Sequence, residues 1–181
     1  MPAWRRGQIA ALLVIAVVLF GGAALRHLWP EPPIRGFAYA VDGDTLRLGG
    51  RRVRLLGIDA PELAQTCTNP HGGAWACGEA ARALMVDTIG GRQVICQPDG
   101  YDRYRRILAH CEVGGTDIQA LMGSHGLAVA DGGYGGEQQQ AAADKRGIWD
   151  GSFMLPSLWR RTHQEADLGA SRPDRASGMW R

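Results

Sequence analysis

From Arg35 onward the chain reads as short runs of alternating apolar and polar residues, broken repeatedly by glycine and aspartate. No other feature constrains the fold as much. A period of two buries one face of a strand, and the frequent breaks keep every strand short. GFAYAV, DTLRLGG and RRVRLLGID read as three strands, with Gly49-Gly50 as a hairpin signal. A long loop is expected over 63–78, then a helix over 79–89 that Gly90-Gly91 ends. Residues 93–97 and 107–113 read as two further strands. A short helix follows over 117–125, capped by Thr116 or Asp117 and stopped by Gly126, and 137–146 is polar and helix-prone. Five short strands with an inserted helix are the arithmetic of a five-stranded barrel of the OB type. The expected class is therefore α+β, mainly β, with about three helices.

Upstream, residues 9–25 (IAALLVIAVVLFGGAAL) carry no charge and follow Arg5 and Arg6. A 17-residue apolar run is at the short end of a bilayer span and also fits a signal-peptide core. Either way an N-terminal hydrophobic helix precedes the barrel, its basic end stays in the cytoplasm, and the rest crosses the membrane. The expected organisation is a signal-anchor or signal peptide over 1–30, a Pro-rich spacer over 31–35, a folded domain over 36–156 and a disordered tail over 157–181. The expected location is the inner membrane, facing the periplasm or exterior, or the medium if the segment is cleaved.

Charge narrows the function classes. The formal net charge is +2, but Arg5, Arg6 and Arg26 are the only charged side chains before Glu31, which leaves 17 basic against 18 acidic residues beyond them. That excludes a strongly basic body, the footprint of tight nucleic-acid binding, and suits an enzyme that must release its product. With 45% hydrophobic and 21% charged residues, a disordered chain and a polytopic membrane protein are excluded too.

Four cysteines, Cys67, Cys77, Cys96 and Cys111, lie in the part expected to be exported, where disulfides form. Three connectivities are possible, and sequence alone does not choose among them. Cys96 in VICQ and Cys111 in ILAHC stand about equally far from a loop centred near Arg103. They could face each other across a hairpin, which leaves Cys67 and Cys77 to staple a loop. Zinc is the competing reading, although spacings of 10, 19 and 15 contain no C-x-x-C knuckle.

Three segments concentrate acids and arginines beyond what a core requires: VDGDT (41–45), RLLGIDAPE (54–62) and YDRYRRILA (101–109). Singly each has a plain explanation as turn chemistry, a Pro-marked strand end or a solvated hairpin. Together they supply the roles of phosphodiester hydrolysis. Asp44 and Asp59, at the ends of neighbouring strands, are hard oxygen ligands for Ca²⁺ or Mg²⁺, with a backbone carbonyl and waters completing the shell. Glu62, three residues on, can stand one water away as general base, while Arg54 and Arg106 donate forked hydrogen bonds to a phosphate. The histidines suggest no Ser–His–Asp arrangement.

In these motifs, and in the later HGLAVA and RGIW, the sequence resembles the thermonuclease, or staphylococcal nuclease-like, family over residues 36–149. The cysteines and the closing GSFMLPSLWRR resemble an exported bacterial branch of it, in which Trp149 and Trp159 would pack a terminal helix. The resemblance implies the barrel, a Ca²⁺-dependent endonuclease acting on DNA and RNA, and 3′-phosphate products. By motif position, Asp44, Asp59 and the Ala60 carbonyl are its calcium ligands, and Asp42 acts through water. Glu62 is its general base, and Arg54 and Arg106 are its phosphate-binding arginines. Arg103 and Arg105 add charge beside the phosphate. There are departures: Ala60 stands where many relatives have Thr, and Arg105 replaces the Gly of the usual Tyr-Gly-Arg. The base-stacking tyrosines have no clear match, and Tyr134 in DGGYGG is the nearest candidate. The alternative function is a non-catalytic OB-type module that binds nucleic acid or an acidic polysaccharide at the cell envelope. No protein partner is expected; the partners are the nucleic-acid substrate and, through residues 1–30, the membrane.

Overall fold

A computed structural model of the chain describes residues 31–170, with side chains through His163. The apolar segment over 9–25 and residues 171–181 lie outside the described residues. No helix of the described residues is long and apolar enough to cross a membrane.

The alternation in the sequence becomes a closed five-stranded barrel. Strands β1 (Ile34–Ala40), β2 (Thr45–Leu48) and β3 (Arg51–Leu55) form an antiparallel meander. The meander continues through β7 (Gln93–Tyr101), which pairs with β1, to β8 (Ile107–Val113). A parallel pairing of β3 with β8 closes the ring, leaving no open edge between them. Leu46, Leu48, Val53, Leu55, Val94, Ala109 and Val113 point inward and are fully buried, whereas Arg47 and Arg52 between them stay exposed. β7 runs past the expected end at Gln97, through Pro98, and its register shifts between Pro98 and Tyr101. Pro98 has no N–H for the ladder, so the strand accommodates it at this irregularity.

Short elements hang on the barrel. β4 (Ile58–Asp59) pairs with β10 (Val129–Ala130), and β9 (Thr116–Asp117) pairs antiparallel with the end of β8. The expected loop over 63–78 contains a two-residue hairpin, β5 (Cys67–Thr68) with β6 (Ala74–Trp75), too short for a periodicity signal. Helix α1 (Cys77–Ile89) buries Ala81, Met85 and Ile89 against the barrel and ends at Gly90, whose φ of 48° needs the freedom of glycine. Helix α2 (Ile118–Ser124) is capped by the Asp117 carboxylate, which accepts from Ala120 N at 2.9 Å. Helix α3 is Gly135–Ala143, and a 3₁₀ turn covers Gly147–Asp150.

The expectation of a disordered tail over 157–181 is corrected for 157–170, while 171–181 lie outside the described residues. Helix α4 runs Pro156–Ala170, so the described residues hold four helices rather than about three. Pro156 suits a first helical position, but α4 is anchored largely by arginine–carboxylate bonds described below, which hydropathy patterning does not register.

Of the three possible connectivities the structure takes the one that the hairpin reading allows, Cys96–Cys111 with Cys67–Cys77. Cys96 and Cys111 sit directly opposite each other on β7 and β8, with Cα atoms 4.1 Å apart, and Cys67–Cys77 staples the β5–β6 hairpin to α1. The Cys67–Cys77 bridge belongs to a second small core with Val129 and Ile148, against which Trp149 and Phe153 pack edge to face. Opening Cys96–Cys111, which spans a separation of 15 residues, would cost about 3 kcal/mol of stability. The expected result is a clearly lower Tm after reduction. Four countable free thiols with an unchanged Tm would contradict it.

Candidate active site

The loop after β1 presents the first acids. Asp42 accepts from Asp44 N at 3.0 Å, fixing the tight turn that VDGDT encodes. Gly43 is required here by contact: a Cβ would lie 2.7 Å from the Ala60 Cβ and 2.8 Å from the Ala81 Cβ, so the loop presses onto α1 without one. Asp44 is 4% exposed. It accepts from Thr45 Oγ1 at 2.9 Å and from Ala60 N at 3.3 Å. The pairing of β4 with β10 sets Asp59, 3% exposed, at the end of its strand beside Asp44. Arg54 of β3 joins the two carboxylates: Nη1 donates to Asp44 Oδ2 at 2.7 Å and Nη2 to Asp59 Oδ1 at 2.9 Å.

A second arginine arrives from far along the chain. Arg160 of α4 donates through Nη1 to Asp59 Oδ1 at 2.9 Å and Glu62 Oε1 at 2.7 Å, and through Nη2 to Asp59 Oδ2 at 3.0 Å. The fully buried Gln65 holds the same two segments together, accepting from Glu62 N at 3.2 Å and donating to the Met154 carbonyl at 2.6 Å. Burial pushes the Asp44 carboxyl well above the usual carboxylate range, with Asp42 and Asp59 adding to the rise and Arg54 opposing it. Burial disfavours charge on Arg54 and Arg160 as well. Their carboxylate partners more than offset it, so both guanidinium groups are held in the charged form.

The opposite wall is the turn between β7 and β8. Asp102 Oδ1 accepts from Tyr104 N at 2.9 Å and Arg106 N at 2.8 Å, and Arg106 Nε donates to Asp102 Oδ2 at 2.7 Å. Burial acts to raise the Asp102 carboxyl, but the bonds from Arg106 and Tyr104 and the Arg106 charge together bring it below its ordinary value. Arg105 has φ 62°, a left-handed backbone that glycine would adopt freely and that a side chain holds at a cost of about 1 kcal/mol. Tyr104 is exposed, with the Arg103 and Arg106 guanidinium carbons 4.8 and 5.7 Å from its ring centre.

These walls enclose a cavity of about 850 Å³ lined by Asp42, Asp44, Arg54, Glu62, Arg103 and Arg106 among others. Asp59 lies beneath it, tied in through Arg54 and Arg160. Neither Arg105 nor Tyr134 lines it. Tyr134 packs instead over Gly57, where an added Cβ would stand 3.1 Å from its ring. Its hydroxyl donates to Asp117 Oδ2 at 3.1 Å and faces His110 Nδ1 at 3.0 Å. Burial first, then Asp117, push that hydroxyl up to about 12, so it stays a protonated donor in the packing of the barrel. Sequence reading missed Arg52, Asp102, Tyr104, Arg160 and Arg161, all of which line the cavity. Tyr104 could have been found from the Tyr-Arg-Arg motif itself, whereas nothing local marks Arg160.

The donor chemistry fits a hard dication, since two nine-tenths-buried carboxylates stand side by side with Asp42 at the rim. Their oxygens are engaged by Arg54 and Arg160, which supply the balancing positive charge. Among the described residues no group of three or more His, Cys, Asp or Glu is already arranged as a cation cage. What the cavity offers is a carboxylate wall facing guanidinium donors, able to hold a phosphodiester on one side and a polarised water on the other.

Comparison with known proteins shows what the chain is similar to. Residues 52–151 match the model of a family described as staphylococcal nuclease homologue. The chain is 37% identical over 124 residues to the succinoglycan biosynthesis protein ExoI of Rhizobium meliloti (strain 1021), covering 65% of each chain. It is 31% identical over 170 residues to the probable endonuclease LCL3 of Debaryomyces hansenii, covering 83% of this chain and 65% of that protein. Endonuclease YncB of Bacillus subtilis (strain 168) is 29% identical over 132 residues, covering 62% of this chain and 60% of that protein. The chain thus spans just under two thirds of the length of these curated relatives.

Proposed function

Because the chain belongs to the family of staphylococcal nuclease homologues, we propose that it is a calcium-dependent endonuclease hydrolysing DNA or RNA outside the cytoplasm. The observation that carries this reading is the juxtaposition, around one cavity, of Asp44, Glu62, Arg54 and Arg106 with Asp59 beneath. Asp44, Asp59 and the Ala60 carbonyl would hold the ion, with Asp42 acting through water, and its charge on a nonbridging oxygen would ease attack at phosphorus. Arg106, oriented by Asp102, donates to the phosphate, and Arg54 adds fixed positive charge where negative charge develops. Glu62 takes the proton of the attacking water. Arg160 holds Oε1, which leaves Oε2 for that role. Arg103 extends the guanidinium wall along the phosphate chain.

Two disulfides support a location in an oxidising compartment, as does the apolar run over 9–25 after paired arginines. The likeness to a succinoglycan biosynthesis protein of Rhizobium favours a second reading for this chain, a module that binds an acidic polysaccharide without cleaving nucleic acid. A pure binder needs the Glu62 carboxylate only as a partner for Arg160 and has no use for its Oε2 as a proton acceptor beside the cavity. The deciding experiment incubates the full chain with single-stranded DNA, RNA or an acidic polysaccharide, in calcium or in chelator. Calcium-dependent cleavage of nucleic acid is the expected result. A folded protein that binds the polysaccharide and cleaves no nucleic acid would overturn the nuclease reading.

A further inference from the structure

The outer face of β1, β2 and β3 carries side chains that neither the core nor the acid cluster uses. Alternation along β1 turns Arg35, Phe37 and Tyr39 outward, and Phe37 and Tyr39 are 69% and 62% exposed. The register sets Tyr39 directly opposite Arg47 on β2, and Arg47 directly opposite Arg52 on β3. Residues directly opposite on antiparallel strands share a face, so Tyr39, Arg47 and Arg52 form one row about 10 Å long across two strand gaps. Arg52 ends that row as a lining residue of the cavity. At the other end the Tyr39 ring is held in place: the Arg82 guanidinium carbon lies 5.8 Å from its centre, and Arg82 Nη2 donates to its hydroxyl at 3.2 Å. Neither Arg47 nor Arg52 makes an ion pair among the described residues.

Two large exposed aromatics beside unpaired arginines, running into a phosphate-sized site, have a specific chemical complement. Guanidinium groups neutralise phosphates, and flat rings stack on bases whatever their identity. We propose that this row is a binding track for single-stranded nucleic acid, with phosphates leaving the cavity over Arg52 and Arg47 and bases stacked on Tyr39 and Phe37. The inference takes the cavity as the phosphate site, as the nuclease reading does. It adds that the enzyme grips several nucleotides to one side of the bond it cuts, and so prefers long single strands to short ones.

The test measures fluorescence anisotropy of the full chain in chelator, so that nothing is cleaved. The probes are a labelled oligothymidylate of a dozen nucleotides and the matching dinucleotide. The expected result is that wild type binds the oligomer much more tightly. The double variant Phe37→Ala/Tyr39→Ala should lose on the order of 10- to 100-fold in oligomer affinity with little change for the dinucleotide. Arg47→Gln should reduce the salt slope of oligomer binding by about one. Tyr39→Phe, which keeps the ring, should bind like wild type and serves as the control for folding. Equal oligomer affinity in the double variant would overturn the track, as would an acidic polysaccharide that binds wild type and double variant alike and displaces the oligomer from both. Failure of the nuclease reading shows up separately, as track-dependent binding without cleavage once calcium is restored.

Discussion

Replacing Glu62 with Gln is expected to lower the rate of phosphodiester hydrolysis by on the order of a hundredfold or more while leaving oligonucleotide affinity near that of wild type. The variant keeps the size of the side chain, and an amide oxygen can still accept from Arg160 Nη1, as Glu62 Oε1 does at 2.7 Å. The loop geometry should therefore survive, because the Glu62 N bond to Gln65 and the Gln65 bond to Met154 involve no carboxylate. What disappears is a group that can take a proton from water. Single-turnover cleavage measured beside equilibrium binding separates the two effects. Wild-type cleavage in the variant would move the base to another residue, and a parallel loss of binding would recast Glu62 as structural.

The second large effect is on stability. Gly78, at the start of α1, packs so closely under the Glu62 segment that a Cβ would fall 1.8 Å from the Glu62 carbonyl oxygen and 2.8 Å from that of Leu63. Both obstacles are backbone atoms, held by Gln65 on one side and by the Cys67–Cys77 bridge on the other, so neither yields cheaply. Gly78→Ala is expected to cost about 3 kcal/mol or more, a fall in Tm of roughly 10 °C for a body of this size. Whatever folds should show reduced turnover as well, because the backbone that must shift is the one carrying Glu62. Thermal denaturation with a cleavage assay on the same sample checks both. An unchanged Tm would mean that α1 and the Glu62 loop are not packed as described.

The barrel was legible because its signal is local. Leu46 and Leu48 flank an exposed Arg47, and Val53 and Leu55 flank Arg54, so period two alone assigns their faces. The disulfide across β7 and β8 was only hinted at, since about equal distances from a turn allow Cys96 and Cys111 to face each other but left three connectivities open. Asp44, Arg54, Asp59 and Glu62 were legible as a set because strands β2 to β4 follow one another closely in sequence. Arg160 was not. It meets Asp59 across a separation of 101 residues, through a helix whose anchoring is electrostatic, and no periodicity carries that information. Tyr134 was hard to place for the opposite reason. A glycine-rich loop looks free in sequence, yet its ring closes over Gly57 and its hydroxyl is tied to Asp117. The exposed aromatic at the cavity is Tyr104, in a turn that Asp102 organises.

Arg160 changes how the acid cluster is understood. Asp59 takes three hydrogen bonds from two guanidinium groups, which makes burial of so much negative charge tolerable without any other cation. A dication entering among Asp44, Asp59 and Asp42 would repel Arg160 from Asp59, so the helix that carries it is part of the site's charge balance as well as its wall.

The most direct test of the central claim is calorimetric titration of calcium into the full chain, wild type against Asp44→Ala, with cleavage of single-stranded DNA measured on the same samples. The account predicts one calcium bound per wild-type chain, and in the variant a fall in affinity of at least about tenfold together with loss of cleavage, because a carboxylate ligand is gone. Calcium binding and cleavage that both persist unchanged in Asp44→Ala would contradict it, and would place the chemistry outside the acid–arginine cavity.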